Sequence, residues 1–237
     1  MSCAIWPRPL NRRRAAVRCL AGIAAWLIVS FGAAAFGQEW PGQYRALGHN
    51  DQGGQYSGTM AIAPYGEGLA GFWRIDKSGE KYQGVGVAEG DALAIAYSAT
   101  PGFGVVLYRY RDGRWEGRWI LSDDAAKKVN PEILTGPEEI SGTHRIISAH
   151  ESSGRSYSGR VDVVPRGQVY AVRWRIYGHV IEGVGVRRGD LFAVAYGRRP
   201  RDQVGVVLYR PEQGALKGVW AAVGMTQTGD ELLVREK

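Results

Sequence analysis

Apolar and polar positions alternate with a period of two along most of the chain. In "YSGRVDVV", Tyr157, Gly159, Val161 and Val163 fall on one side, and Ser158, Arg160 and Asp162 on the other. In "YAVRWRI", Tyr170, Val172, Trp174 and Ile176 oppose Arg173 and Arg175. In "RWEGRW", Trp115, Gly117 and Trp119 oppose Glu116 and Arg118. One apolar face at this period defines half-buried antiparallel strands. Turn residues punctuate them at Pro64-Tyr65-Gly66, Gly90-Asp91, Asp112-Gly113, Pro165-Arg166-Gly167 and Gly189-Asp190. Helix is nearly absent. Its one candidate is a single turn in "SDDAAKKVNPE", which Ser122 or Asp123 would cap and Asn130-Pro131 would stop.

The pattern is written twice. "QGVGVAEGDALAIAYSATPGFGVVLYR" (Gln83 to Arg109) returns as "EGVGVRRGDLFAVAYGRRPRDQVGVVLYR" (Glu182 to Arg210), with one two-residue insertion. "QYSGTMAIAP" matches "SYSGRVDVVP", "FWRI" matches "RWRI", and "RWEGRW" matches "ALKGVW". "TGPEEI" aligns with "TGDELL", and Glu139 and Glu231 are read as recurring residues with the character of structural ion-pair partners. The chain is a tandem duplication of a unit of about 95 residues, an ordinary domain size. About eight short strands per unit, at this spacing, predict two tandem antiparallel up-and-down β-barrels, with β-sandwich modules as the alternative. The expected segments are 1–37 as a leader, 38–140 as the first barrel module and 141–237 as the second. The joint is very short, since Ile140 ends one unit and Gly142 begins the next, so a rigid pair is expected.

The leader changes the charge picture. Arg8, Arg12, Arg13, Arg14 and Arg18 precede an apolar run from Cys19 to Phe36, and Ala35-Phe36-Gly37 is a small-x-small cleavage site before Gln38. This is the pattern of a secretory signal peptide, placing the mature protein in the periplasm or outside the cell. An uncleaved anchor is the alternative, and the only membrane association expected. The arginine run admits either general or twin-arginine export. Thirty basic against 23 acidic residues give +7 overall. Without the leader's five arginines, 25 against 23 leaves +2, which removes the main support for a nucleic-acid partner. Both cysteines, Cys3 and Cys19, also leave with it, and with them any disulfide or thiolate metal site.

What remains is unequally shared. Residues 38–140 hold 10 basic and 14 acidic side chains, and residues 141–237 hold 15 and 9. "AEGD" becomes "RRGD" and "SATPG" becomes "GRRPRD". In an up-and-down barrel alternate turns share an end. Arg155, Arg198, Arg199 and Arg201, with His150 and His179, are therefore expected on one rim of the second module. That rim would face an acidic partner: an acidic polysaccharide, a lipid headgroup or an extracellular protein. A solvated charged rim, or attraction to the acidic first module, is the plainer alternative. The Arg188-Gly189-Asp190 triplet keeps the Gly-Asp already present in the first unit and is read as a turn.

No catalytic, metal or cofactor motif is found. The four histidines lie in no metal-ligand spacing, "YSGT" and "YSGR" lie within strands, and Glu138 and Glu139 face opposite sides of any strand. A hydrolase-type enzyme is accordingly the least supported reading. Strand parity instead turns Tyr56, Trp73 and Trp119 inward in the first module, and Tyr157, Trp174 and Trp220 in the second. These rings either fill a small barrel or line a cavity for a small apolar ligand. The expected function is a non-catalytic binding or interaction protein, led by the basic rim, with a small-ligand carrier as the alternative.

The glycine-punctuated aromatic meander resembles small calycin-type barrels, avidin-like ones in particular. It also resembles short secreted bacterial proteins built on "Y-x-G-x-V … W … G-x-G … A-Y … G-V-V-x-Y … G-x-W", some of which carry a fibronectin-binding label. The matching positions are Tyr56, Gly58, Trp73, Gly84, Gly86, Ala96, Tyr97, Gly104, Tyr108, Gly117 and Trp119, with counterparts from Tyr157 to Trp220. The resemblance implies a barrel fold and a binding role. No biotin-site pattern can be matched residue by residue.

Overall fold

A computed structural model describes residues 39–197 and 204–236. The described chain is all β: β1 (Gly42–His49), β2 (Gln55–Tyr65), β3 (Gly68–Ile75), β4 (Lys81–Glu89), β5 (Ala92–Ser98), β6 (Phe103–Arg111), β7 (Arg114–Leu121) and β8 (Asn130–Thr135) come from the first repeat. The second supplies β9 (Gly142–Ala149), β10 (Gly159–Arg166), β11 (Val169–Ile176), β12 (His179–Arg188), β13 (Leu191–Gly197), β14 (Val204–Glu212), β15 (Ala215–Ala222) and β16 (Gly229–Arg235). The helical turn expected after Ser122 does not form. That segment is a turn-rich loop in which Lys127 takes a positive φ of 48°.

The strands close into two antiparallel barrels of eight, but the repeats do not close one each. Barrel A runs β1-β2-β3-β4-β5-β14-β15-β16 and back to β1. Barrel B runs β9-β10-β11-β12-β13-β6-β7-β8 and back to β9. The expected modules 38–140 and 141–237 are therefore sequence repeats, not barrels. Each repeat gives its first five strands to one barrel and its last three to the other. The exchange occurs where β5 pairs with β14 and β13 with β6, through ladders such as Tyr97↔Gly205 and Tyr196↔Gly104.

The exchanged strands are buried on both faces, which is why they lack polar alternation. In β5, Leu93 and Ile95 enter the core of barrel A, with Tyr97 packed against it. Ala92, Ala94 and Ala96 turn outward into a seam between the barrels. In β13, Phe192 and Val194 enter barrel B with Tyr196 beside them, while Leu191, Ala193 and Ala195 enter the seam. β6 and β14 divide in the same way: Tyr108 and Tyr209 point inward, Val105, Leu107, Val206 and Leu208 into the seam. Small seam residues let two curved sheets approach closely.

The "G-D" and "L-Y-R" letters close this seam electrostatically. Arg109, whose side chain is 13% exposed, reaches Asp190 at 2.9 Å and Asp91 at 3.1 Å. Its counterpart Arg210 also binds Asp91. Arg188 pairs with Glu212 at 3.1 Å, so both charged ends of the Arg-Gly-Asp triplet are engaged within the molecule. Gly189 holds a φ of 64°, as the turn requires.

Candidate functional site

Each barrel contains a cavity open at one end. In barrel B it measures about 290 Å³ and is lined by Trp119, Tyr157, Trp174, Tyr177 and Tyr196, with Ile176, Ile181, His179, Glu151 and Glu132. In barrel A it measures about 500 Å³ and is lined by Tyr56, Trp73, Tyr82, Tyr97 and Trp220, with Ile75, Asn50, Glu80 and Glu231. All six aromatic residues expected to point inward do so, and all six line a cavity. The exchange redistributes them: Trp119 of the first repeat joins Tyr157 and Trp174, and Trp220 of the second joins Tyr56 and Trp73.

The rings contact one another edge-on or tilted. Trp73 and Tyr97 lie 5.9 Å apart between centroids, Tyr82 and Tyr97 5.7 Å, and Trp174 and Tyr196 5.5 Å. Glycines make room for them. Side chains on Gly104 and Gly205 would overlap the phenols of Tyr196 and Tyr97, and side chains on Gly117 and Gly218 would meet the rings of Tyr108 and Tyr209. These four glycines clear paths for aromatic rings crossing the interior.

The floor of each cavity is a buried carboxyl. Glu132, 2% exposed, accepts hydrogen bonds from the Tyr108 hydroxyl, from Trp174 Nε1 at 3.1 Å and from the Tyr157 hydroxyl at 2.7 Å. Glu231, 4% exposed, accepts from the Tyr209 hydroxyl, from Trp73 Nε1 at 3.2 Å and from the Tyr56 hydroxyl at 3.0 Å. The two clusters are equivalent, since Glu132 pairs across its ladder with Gly117, and Glu231 with Gly218. The counterpart of Glu231 is thus Glu132, not Glu139. "NPEILT" matches "GDELLV", and the "TGPEEI" alignment is displaced. Glu139 does form the ion pair expected of it, with Arg187 at 2.9 Å, but lies outside the barrel. Burial pushes both floor carboxyls above their ordinary range, and the hydrogen bonds from Tyr and Trp oppose this only in part. Burial and the adjacent carboxyls hold Tyr56, Tyr157, Tyr108 and Tyr209 well above the usual phenol range. Among the described residues the indole nitrogens of Trp119 and Trp220 are buried without a well-formed hydrogen bond, each beside a phenol, Tyr157 and Tyr56.

Glu132 escaped the sequence reading, and Glu231 entered it only as an ion-pair partner, whereas neutral Tyr and Trp donors surround it; alternation around "PEIL" and "DELL" places both glutamates on the inward face. Tyr82 and Tyr177 were missed as well, and Tyr97 and Tyr196 entered only as motif positions. For Tyr97 and Tyr196 the signal was the alternation of large and small residues in "LAIAY" and "FAVAY".

The residues expected on the basic rim are only partly together. Arg155 is spent on Glu151, through Nη2 at 2.8 Å, and its guanidinium lies 5.2 Å from the Tyr177 ring centroid. His179 lines the mouth of barrel B. His150 is exposed on the β9–β10 loop, where it bridges to Ser156. Arg198, Arg199 and Arg201 lie outside the described residues. Among the described residues no three His, Asp or Glu side chains converge as metal ligands.

Both mouths open on the same side. β5 ends at the mouth of barrel A with Ser98, paired with Val204, and β6 begins at the rim of barrel B with Phe103, paired with Gly197. The link 99–102 lets Ser98 and Phe103 lie at most about 18 Å apart. No family model, no curated protein and no solved structure matches the chain.

Proposed function

We propose that the chain is a secreted or periplasmic non-catalytic binding protein that holds one small ligand in each barrel. The observation that carries this reading is the pair of open cavities, each walled by five aromatic rings and floored by one carboxyl. Their volumes fall at the lower end of small-molecule sites, and a mostly apolar wall with a few convergent polar groups is the composition such sites share. A filled barrel would spend its rings on packing. Here Trp119 and Trp174, or Trp73 and Trp220, leave a space between them.

Acid–base chemistry is poorly served by the same groups. Every floor phenol is held protonated through the neutral range, and each carboxyl already accepts three hydrogen bonds. A general base must reach the proton it abstracts, and these carboxyl oxygens are turned to their own Tyr and Trp donors. The periplasmic or extracellular placement rests on the leader pattern in residues 1–37.

Titration with small aromatic compounds, both neutral and charged, tests the reading through intrinsic tryptophan fluorescence. Trp73, Trp119, Trp174 and Trp220 all touch cavity space, so a bound ligand is expected to shift the emission saturably, at up to two molecules per chain. If no member of such a set shifts the emission or gives binding heat, the cavities are packing defects and the proposal fails.

A further inference from the structure

From the lining of the cavities we infer that the ligand is an organic cation, an alkyl- or arylammonium group, and that barrel A is the tighter of the two sites. The inference rests on the small-ligand reading above and gives it a chemical class.

Three features point the same way. First, a carboxyl at the cavity floor is surrounded only by neutral donors. Toward Glu231 the neighbouring strands present Tyr56 from β2, Trp73 from β3 and Tyr209 from β14. Tyr97 from β5 is also near, and the directly paired positions on β1 and β15 are Gly48 and Gly218. None carries a positive charge. A carboxylate withdrawn from water needs a counter-charge or a proton, because burying an unpaired ion is costly. Second, among the described residues no lysine or arginine lines either cavity. An anionic ligand would meet the floor carboxyl with nothing to offset it. Third, the walls are aromatic faces, whose quadrupoles attract cations, most strongly where water is excluded.

The two barrels differ at the rim, and the difference sets their order. In barrel A the rim carboxylate Glu80 is engaged, among the described residues, by neutral partners, Ser78 and Tyr82. In barrel B the rim carboxylate Glu151 is neutralised by Arg155, which also lies over Tyr177. Among the described residues, a cation entering barrel A meets two carboxyls and no arginine, and one entering barrel B meets a guanidinium at the door. The raised range of the floor carboxyls adds a coupling: a proton and an organic cation compete for the same counter-charge, so affinity should rise with pH.

The test compares benzyltrimethylammonium with its neutral isostere neopentylbenzene, using the full mature chain, tryptophan fluorescence and calorimetry. At pH 8 the cation is expected to bind at least ten-fold more tightly than the isostere. One tight and one weaker site are expected, with affinity falling as the pH is lowered toward 4.5. Glu231→Gln should remove the tight site, with a ten-fold or greater loss for the cation and less than a two-fold change for the isostere. Glu80→Gln, on the exposed rim, leaves the floor untouched and should cost the cation two- to five-fold. If the isostere binds as tightly as the cation, or Glu231→Gln and Glu80→Gln both leave the cation's affinity unchanged, the charge assignment is overturned while the carrier reading stands. If neither compound binds, both fall.

Discussion

The exchange of strands predicts what a single repeat does when freed from the other. Consider a chain of residues 39–140 alone, carrying β1 to β8. Its hydrogen-bond ladder does not forbid a private barrel, because Ala99–Gly102 is long enough for β6 to turn back on β5 as a hairpin. The seam does. In the full chain Val85, Val87, Phe103, Val105, Leu107 and Ile120 are at most 6% exposed, and all six belong to the apolar cluster between the barrels. On a monomeric barrel they would face water. Burial of a side chain of this size contributes about 1.5–3 kcal/mol, so a lone barrel would forfeit about 9–18 kcal/mol as an upper bound. That matches or exceeds the net stability of an ordinary domain, about 5–15 kcal/mol. The repeat is therefore expected to be a homodimer, each copy lending β6–β8 to its partner and restoring two barrels and the seam. Light scattering coupled to size exclusion should show two copies, and thermal unfolding by circular dichroism should rise in temperature with protein concentration. A folded, monodisperse monomer with a concentration-independent cooperative melt would refute the argument that the seam holds the fold together.

Three further outcomes can be checked. Both floor carboxyls have folded-state pKa values raised above 4.5, so the native state binds their protons more tightly than the unfolded chain, and stability is lost as pH rises from there through the folded values. Glu132→Gln and Glu231→Gln lack this loss, so their melting temperatures relative to the parent should climb with pH in that window, and a pH-independent difference would contradict the burial argument. Gly205→Ala would drive a methyl group into the Tyr97 ring; overpacking of this kind costs about 1–3 kcal/mol, readable as a lower denaturation midpoint with an unchanged slope. Neutralising Arg198, Arg199 and Arg201 together should reduce retention on heparin-like or acidic-lipid matrices in a salt-dependent way if the basic rim serves an acidic partner, and equal elution of parent and variant would remove that role.

Much of the site was legible as parity. Period-two alternation put Tyr56, Trp73, Trp119, Tyr157, Trp174 and Trp220 inside without reference to any fold, because a strand alternates its side chains whatever it pairs with. Charge was less legible. The count of arginines in the second repeat suggested a free basic rim, yet Arg155, Arg173, Arg175, Arg187 and Arg188 are each held by an acid, and only geometry pairs them. The glutamates at the cavity floors were obscured by an alignment that matched "TGPEEI" to "TGDELL". The ladders opposite Gly117 and Gly218 identify Glu132 and Glu231 as counterparts.

From the sequence alone came the duplication, about eight strands per repeat, the inward faces of those with clear alternation, and the barrel as the architecture ahead of a sandwich. It left open which strands would close which barrel. The reason lies in the duplication itself: β6 and β14 share the letters "GVVLYR", so the edge of β5 finds nearly the same hydrogen-bonding and side-chain partner in either repeat, and local energetics cannot choose. Covalent geometry and the seam choose. Pro101 in the link after β5 has no N–H to close a tight hairpin. Once β6 crosses, the alanine and valine faces of both barrels meet, and each cavity is completed by a tryptophan from the other repeat.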